Sequence, residues 1–412
     1  MRMFYGVNHA IINSSDGYAL RGHQLARAIA QAGVYLKVIV AAAKHRAVMP
    51  FCMTIDGIDY LQLERRSEGG YRELFEVFKP DAVLAASNWS HAQPVQQAAQ
   101  ELGLPFWYEA RGFWELSRCA RDPGFATSAE FQQEIAAETA IAQAAERLFS
   151  LNRHMAAEWV RRGVPAAKIS LIPNGLAAIP ASIPEPDLAL RDRLGLDASK
   201  VIAYIGSFSA YEGLDDLITA FAIARQQGLE ARLLLVGSLS QSGSSGQPCQ
   251  SSDRLFSLAR QLGIADRLVF TGRVPPHTVA NYYPLIDLVV IPSRPERVCE
   301  IVSPLKPLEA AAQGTQLLLS SVAPLADLQS LGPGVHLFEK GSLEALARQL
   351  VAILSRPTPP RCPQALYPRL EQFLWSRNIE PLLQALRETP PRLKRSFPWH
   401  ETDQLKSGGT KL

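Results

Sequence analysis

Cys299-Glu300-Ile301-Val302-Ser303-Pro304-Leu305-Lys306-Pro307-Leu308-Glu309 decides how the rest of the chain is read. Just before it, Leu288-Val289-Val290-Ile291-Pro292 is a short apolar run ended by proline, the pattern of a parallel strand buried on both faces. Just after its first half, Pro307-Leu308-Glu309-Ala310-Ala311-Ala312 sets proline where a helix favours it, in the first turn. Strand, irregular loop and helix start describe the edge at which doubly wound α/β domains bind ligands. Free N–H groups and the helix dipole there favour an anion, most often a phosphate. Lys306 would stand at the mouth of such a site. Glu309, one turn in, suits a pair of hydroxyl groups such as those of ribose, because a carboxylate accepts two hydrogen bonds at once.

Composition narrows the class. A chain of 412 residues has room for two or three domains, each with its own core. Its 47% hydrophobic and 20% charged residues are ordinary globular values. A net charge of +3 argues against general nucleic-acid binding, which needs a strongly basic face. The 5 cysteines, Cys52, Cys119, Cys249, Cys299 and Cys362, form no Cys-x-x-Cys pair and read as free thiols of a reducing compartment. No apolar run reaches membrane-spanning length and the N-terminus lacks the apolar centre of a signal peptide, so a soluble, cytoplasmic protein is expected.

From its start the chain alternates strands and helices, which predicts parallel sheets with right-handed crossovers. Met3–Val7, Val34–Ala41, Asp59–Leu63, Ala82–Ala85 and Phe106–Tyr108 read as strands. Helices are expected through Leu20, Leu25 and Ile29, over Tyr71–Phe78, and over Pro94–Leu102. A basic turn at Lys44 and Arg46 closes the second strand. The first loop holds no Gly-x-Gly-x-x-Gly, which weakens a dinucleotide-binding reading.

Phe106-Trp107-Tyr108-Glu109-Ala110-Arg111-Gly112-Phe113-Trp114-Glu115 places carboxylates, an arginine and aromatic rings at a strand's C-terminal end, where they are expected to face a cleft. The rings can stack on sugar faces or pack locally, and the sequence does not separate these. Arg111 can hold a phosphate, or pair with Glu109 to stiffen its loop. It cannot act as a base.

A long helix is expected over Ser128–Arg147, and Arg147–Leu151, Asn152–Arg162 and Ile169–Ile172 complete the first half. Pro173-Asn174-Gly175 reads as a turn, followed by a proline-punctuated linker at 181–186. Val201–Phe208 restarts the pattern with a buried strand opening into a tight Gly-Ser loop. The helix Leu214–Gln227, the strand Arg232–Gly237, a Ser/Gly/Gln-rich loop at 238–252 and the strand Leu268–Arg273 follow. Tyr367–Leu386 reads as a single final helix, and the loose tail beyond carries Arg392, Lys394 and Arg395, too few charges for more than a marginal attraction to anionic lipid.

Taken together, the motifs resemble the retaining glycosyltransferases of family 4 over nearly the whole chain, to about Leu386. The Leu-Lys-Pro-Leu-Glu-Ala segment after the Pro-Ser strand end is similar to that family's donor loop, in which the second of two glutamates holds the nucleotide ribose. Glu309 matches that second position. Ile301 stands where the first is expected, and Glu300 lies one residue further upstream. The Tyr-Glu-x-Arg-Gly-x-Trp-Glu form of residues 108–115 resembles a subgroup tied to exopolysaccharide and surface-glycan assembly.

The resemblance implies the GT-B fold, two Rossmann-like doubly wound domains facing a central cleft. On that reading residues 1–178 form the acceptor-side domain, 179–365 the nucleotide-sugar domain, 366–386 a final helix packing back on the first domain, and 387–412 a flexible tail. It implies transfer of a sugar from a nucleotide-diphosphate donor, a UDP-sugar first, to a glycan or lipid-linked acceptor with retained configuration. The nucleotide-sugar is a substrate, and no cofactor is expected. With no Asp-x-Asp motif in a suitable loop, no metal site is expected either, and protein cations would stabilise the leaving diphosphate. A peripheral position on the inner face of the membrane accords with such acceptors.

By the same resemblance Gly206, Ser207, Phe208, Arg273, Val302, Ser303, Pro304, Lys306 and Glu309 are expected to bind the donor. Gly17, Tyr18, Arg21 and Trp114 are expected on the acceptor side, although Arg21 reads equally as a solvated helix face. Glu109, Arg111, Arg297 and Lys306 are the candidates for catalysis. One departure stands out. Where the family carries Gly-Arg-x-x-x-x-Lys-Gly to grip the diphosphate, this chain has Gly206-Ser207-Phe208-Ser209-Ala210-Tyr211-Glu212-Gly213. The expectation is that the cations have moved to Lys306 and one of Arg294 and Arg297, with Arg297 preferred. Two rivals remain at this stage: a nicotinamide-dependent oxidoreductase with two Rossmann domains, and a non-catalytic nucleotide-sugar-binding partner.

Overall fold

A computed structural model describes residues 1–14, 16–41, 51–64, 67–238 and 250–390. The basic turn at Lys44 and Arg46, most of the Ser/Gly/Gln-rich loop with Cys249, and the tail with Arg392, Lys394 and Arg395 lie outside the described residues.

Two sheets carry the fold. The first runs through β1 (Arg2–Val7), β2 (Tyr35–Ala41), β3 (Phe51–Ile55), β4 (Ile58–Leu63), β5 (Ala82–Ala86), β6 (Phe106–Ala110), β7 (Arg147–Ser150) and β8 (Ile169–Leu171). Their spatial order is β3-β4-β2-β1-β5-β6-β7-β8. The second holds β9 (Lys200–Ile205), β10 (Ala231–Val236), β11 (Leu268–Gly272), β12 (Leu288–Ile291), β13 (Gln316–Ser320) and β14 (Val335–Phe338), in the order β11-β10-β9-β12-β13-β14. Every pairing in the second sheet is parallel. This is the doubly wound order, and the chain reverses direction across the sheet between β9 and β12. Those two strands pair only at Leu288 with Ile202 and Val289 with Ala203. Their C-terminal ends therefore separate and leave a crevice. In the first sheet the reversal falls between β1 and β5.

Strand alternation builds the cores. On β1, Phe4 joins one cluster while Met3, Tyr5 and Val7 join the cluster on the opposite face. On β6, Phe106, Tyr108 and Ala110 take the first face and Trp107 the second. The second sheet has one cluster spanning both of its faces, in which the leucines and valines of β9, β10, β12 and β13 are almost wholly buried.

Two expectations change. β3 pairs antiparallel with β4 as an edge hairpin, so the first sheet is not wholly parallel. Its turn, Asp56-Gly57, has positive φ at both residues (50° and 77°), the twist that lets a two-residue turn match its strands. The expected helix Tyr367–Leu386 is broken. Tyr367 and Leu370 belong to the second core, and a turn over Leu370–Phe373 precedes the helices Trp375–Asn378 and Glu380–Glu388. From Trp375 onward the segment packs on the first sheet through Trp375, Ile379, Leu382, Ala385 and Leu386. The chain crosses back at Leu374, which bridges to Leu176. Gly175 permits this crossing, since a Cβ there would press on the Trp375 ring and the Phe373 carbonyl.

Among the described residues Cys52, Cys119, Cys299 and Cys362 are free thiols, no helix is long and apolar enough to cross a membrane, and no group of side chains is arranged to hold a metal ion.

Candidate functional site

The crevice between β9 and β12 brings Tyr204, Glu212 and Lys306 together. Glycines at the strand ends, Gly206 (φ 150°), Gly237 (φ 134°) and Gly272 (φ 69°), let the backbones crowd together there. Gly237 donates its N–H to Gly272 O at 3.0 Å, and Gly206 donates to Val236 O at 2.9 Å. Ser207 accepts from the Tyr204 hydroxyl through its carbonyl, at 2.8 Å, and Phe208 is buried beside it. Arg273 is exposed at the end of β11.

Lys306 enters this crevice from the start of the helix Lys306–Ala312. Its ammonium donates to Tyr204 Oη at 2.6 Å and to Glu212 Oε1 at 2.5 Å, and lies 4.7 Å from the Tyr204 ring centroid. The butyl stem passes directly over Gly206, where any Cβ would run into Lys306 Cε. Glu212, standing where the resemblance calls for a lysine, is thus the partner of a cation delivered by another loop. Gly206→Ala is therefore expected to push the Lys306 ammonium aside and break its hydrogen bond to Glu212 in a protein that still folds, which a crystal structure of the variant checks.

Glu309 stands beside Lys306, half-buried, and among the described residues no protein group donates a hydrogen bond to its carboxylate. Burial raises its pKa, and Lys306 opposes that rise only in part. A carboxylate left open at a ligand-binding edge, with all its acceptor capacity unused, is the feature the sequence assigned to hydroxyl recognition.

The loop ahead of Lys306 is bolted to the first domain. Asn152 Nδ2 donates to Ile301 O at 2.8 Å and to Ser303 Oγ at 2.6 Å, while Asn174 Nδ2 donates to Ser303 O at 2.8 Å. Ile301 belongs to a core cluster of the first domain, and Val302 packs against the cores of both. At the position of the resembled family's first glutamate this chain therefore carries an apolar plug. Glu300 turns away, pairing with Lys340 at 2.5 Å and accepting from Ala323 N at 3.0 Å. Pro304 is half-buried within the same loop.

The two arginines of this segment are not gathered at Lys306. Arg294 is held by Asp215 (2.8 Å) and Asp216 (2.7 Å). Arg297 reaches across to Glu158 of the first domain, 3.0 Å away, with 60% of its side chain exposed. The expectation that Arg297 shares the diphosphate with Lys306 is thus corrected, because its charge is engaged at the domain interface.

Glu109, Arg111 and Arg21 also need correction. They do not face the cleft. Alternation along β6 sends Glu109 to the same side as Trp107, beneath the helix Gly17–Gln31, where it is wholly buried. Arg21 Nε donates to Glu109 Oε1 at 2.9 Å, Arg111 Nε donates to Oε2 at 3.0 Å, and the Tyr5 hydroxyl bonds both Glu109 and Arg111. Arg21 also donates to Ile172 O (2.8 Å), Pro173 O (3.1 Å) and Asn174 Oδ1 (2.9 Å) at the hinge, and Arg111 to Tyr18 O (2.9 Å). Burial pushes the Glu109 carboxyl up, but Arg111 and Arg21 outweigh it and hold it below the ordinary glutamate value. The two guanidiniums outnumber the one carboxylate by a single positive charge, but carbonyl oxygens take their remaining N–H groups, and little is left to touch a ligand. The loop-stiffening reading of Arg111 is the one the structure carries.

Gly17 and Tyr18 stand toward the second domain, and Trp114 packs beside Tyr18. A Cβ on Gly17 would stand 3.6 Å from Leu305 Cδ1, so this helix start meets the donor-side loop. Tyr18 stacks on Trp114 with ring centroids 5.0 Å apart and planes at 26°. Burial raises the Tyr18 phenol's pKa, and after it the largest influence is Tyr211 of the second domain. Gly112 makes room for the Tyr18 hydroxyl, which a Cβ would approach to 2.9 Å. Sequence reasoning passed over two neighbours, His9 and Asp16, which belong to the loop after β1 at that sheet's own switch point. Their position just past the first strand was the available signal.

Comparison with known proteins follows the same division. Residues 16–175 match the family described as Glycosyl transferase 4-like domain, and residues 199–356 match Glycosyl transferases group 1. The D-inositol 3-phosphate glycosyltransferase of Rhodococcus opacus strain B4 is 27% identical over 409 residues, 93% of this chain and 85% of that protein. Among solved structures, the sucrose-phosphate synthase of Thermosynechococcus elongatus aligns with a TM-score of 0.69 at 19% identity, covering 94% of this chain and 99% of that one. The Anabaena protein HepE in complex with UDP and glucose aligns with a TM-score of 0.72 at 15% identity, over 94% and 99%. With both halves matched to glycosyltransferase families, the oxidoreductase alternative has no support.

Proposed function

Because this chain is a glycosyltransferase of the GT-B fold and of the family 4 type, we propose that it moves a sugar from UDP-sugar to a glycan or lipid-linked acceptor, with retained configuration, in surface-polysaccharide assembly. The observation that carries the donor half of this reading is Glu309, an unpartnered carboxylate one helical turn from a fixed ammonium at the second sheet's switch point. The HepE structure with UDP and glucose supports uridine as the nucleotide.

In this reading Glu309 accepts from both ribose hydroxyls and Gly206, Ser207 and Phe208 form the floor of the donor pocket. Arg273 lies toward the base. Lys306, not a metal ion, faces the departing diphosphate. The leaving phosphate takes the acceptor hydroxyl's proton on the same face of the sugar as the bond that breaks, so no side-chain nucleophile is required. What the protein supplies is position and a preset positive charge.

Incubating the protein with a panel of nucleotide-sugars and glycan or lipid-linked acceptors, with product masses as the readout, tests the reading. UDP-sugar consumption coupled to an acceptor gaining one hexose mass is expected, and consumption of a different nucleotide-sugar alone would overturn the uridine assignment. Glu309→Ala should keep the fold while weakening UDP by about 1.5–3 kcal/mol for each ribose hydrogen bond lost. Unchanged UDP affinity in the folded variant would move the ribose elsewhere.

A further inference from the structure

His9 and Asp16 form a pair that the donor chemistry does not use. His9 follows β1 directly, and its Nδ1 stands 2.5 Å from Asp16 Oδ2. Asp16 also accepts from Ala19 N (2.8 Å), capping the helix Gly17–Gln31, and from Ser14 Oγ (2.9 Å). Burial opposes ionisation of Asp16, but the His9, Ala19 and Ser14 hydrogen bonds prevail and hold its pKa at about 2. An ionised Asp16 fixes the imidazole with Nδ1–H toward it. Among the described residues no hydrogen bond reaches the other nitrogen, Nε2, and 37% of the His9 side chain is exposed.

The imidazole lies 6.2 Å from the Tyr18 ring and 6.3 Å from the Trp114 ring, at the rim of their stack. Trp114 Nε1 and Asn8 Oδ1, beside the same loop, are buried with no partner among the described residues. A buried donor and a buried acceptor left open next to a stacked aromatic pair call for a ligand carrying hydroxyl groups on an otherwise apolar ring face.

We infer that His9 Nε2, oriented by Asp16, receives the hydrogen bond of an acceptor sugar hydroxyl while the Tyr18–Trp114 stack carries the sugar's ring, and that this subsite takes a neutral sugar rather than a phosphorylated one. The inference rests on the transferase reading above and specifies its acceptor. The exclusion of phosphate follows from charge. A helix N-terminus would welcome an anion, but here the Asp16 carboxylate already caps the Ala19 amide of the first turn and sets a negative charge against any incoming phosphate. The Rhodococcus relative's name gives it a phosphorylated acceptor. In this chain the subsite favours an uncharged ring.

The test uses the full chain loaded with UDP and titrated with methyl glucoside, methyl galactoside, methyl mannoside and glucose 6-phosphate, followed by tryptophan fluorescence and by acceptor KM where transfer occurs. A methyl glycoside is expected to bind in preference to the sugar phosphate. His9→Asn, which keeps a donor toward Asp16 but loses the reach of Nε2, should weaken it about tenfold or more. His9→Gln, which restores an acceptor near the Nε2 position, should recover part of the loss, with UDP affinity the same in both variants. Asp16→Asn still caps the helix and should shift preference toward glucose 6-phosphate. Glycoside affinity equal to wild type in His9→Asn, preference of the wild type for the sugar phosphate, or UDP binding with no glycoside binding would each overturn the inference. His9-dependent glycoside binding without UDP binding would instead leave it standing and remove the donor reading.

Discussion

Glu109→Gln is expected to cost the first domain about 3–5 kcal/mol of stability, the size of effect seen when one member of a buried ion network is removed and its partners stay charged. Arg21 and Arg111 are both almost wholly buried, so neither guanidinium has water to turn to. The amide would keep one acceptor and lose the charge, while its N–H₂ group would face one of the two guanidiniums, donor against donor. The damage would also spread, since Arg21 ties Glu109 to the backbone at Ile172 and Pro173, and Arg21 lies 5.1 Å from the Trp375 ring. One carboxylate thus holds β1, β6, the hinge and the crossing-back segment in a single network.

The sign with pH follows from the depressed carboxyl. Its stabilisation is in full force above the unfolded-state glutamate range and is lost only as pH falls through the lower folded-state value. Denaturant unfolding at neutral pH, followed by far-UV circular dichroism, measures the loss. Transfer by the variant should fall only as far as its folded fraction falls. A variant as stable as the wild type but unable to transfer sugar would return Glu109 to the reacting centre.

That network also marks what could be read in the chain and what could not. The doubly wound second half was legible because buried parallel strands announce themselves as unbroken apolar runs, as in Leu288–Ile291 and Val201–Ile205. Lys306 and Glu309 were legible because strand, loop and helix start follow one another locally. Glu109 was misplaced for a reason equally local. Its position at a strand end suggested the cleft, whereas the alternation that puts Trp107 on the helix-covered face puts Glu109 there too. The β3 hairpin was signalled by Asp56-Gly57, a short-range turn cue that the search for βαβ units overrode. Ile301 was noted only as a missing glutamate, because nothing in one domain's sequence reveals that its side chain completes the core of the other. The His9–Asp16 pair depends on a loop folding back over residues apart in sequence, which no periodicity encodes.

Lys306→Ala is expected to lower the transfer rate about 100- to 1,000-fold, the range found when one preset donor to a developing anion is removed. In the ligand-free site the ammonium uses two of its three N–H groups, on Tyr204 and Glu212. The third is open to a diphosphate oxygen. Glu212 partly offsets the positive charge, but it also keeps a long flexible chain extended over Gly206, so less freedom is lost when the diphosphate arrives. Removing Lys306 alone would have two consequences: the attraction disappears, and the Glu212 carboxylate is left facing the same oxygens. Removing both residues eliminates the repulsion without restoring the attraction. UDP affinity should therefore fall in the order wild type, Lys306→Ala with Glu212→Ala, then Lys306→Ala alone, while affinity for uridine, which lacks the diphosphate, barely moves. Calorimetry with UDP and uridine on these proteins and on Glu212→Ala alone gives all the terms of this cycle, and the coupling between the two residues is their departure from additivity. For UDP the Lys306→Ala loss should amount to about 1.5–3 kcal/mol. Equal losses for UDP and uridine would make Lys306 a support of the pocket and not its cation. A double variant weaker than Lys306→Ala alone would show that Glu212 acts on the diphosphate by some route other than through Lys306.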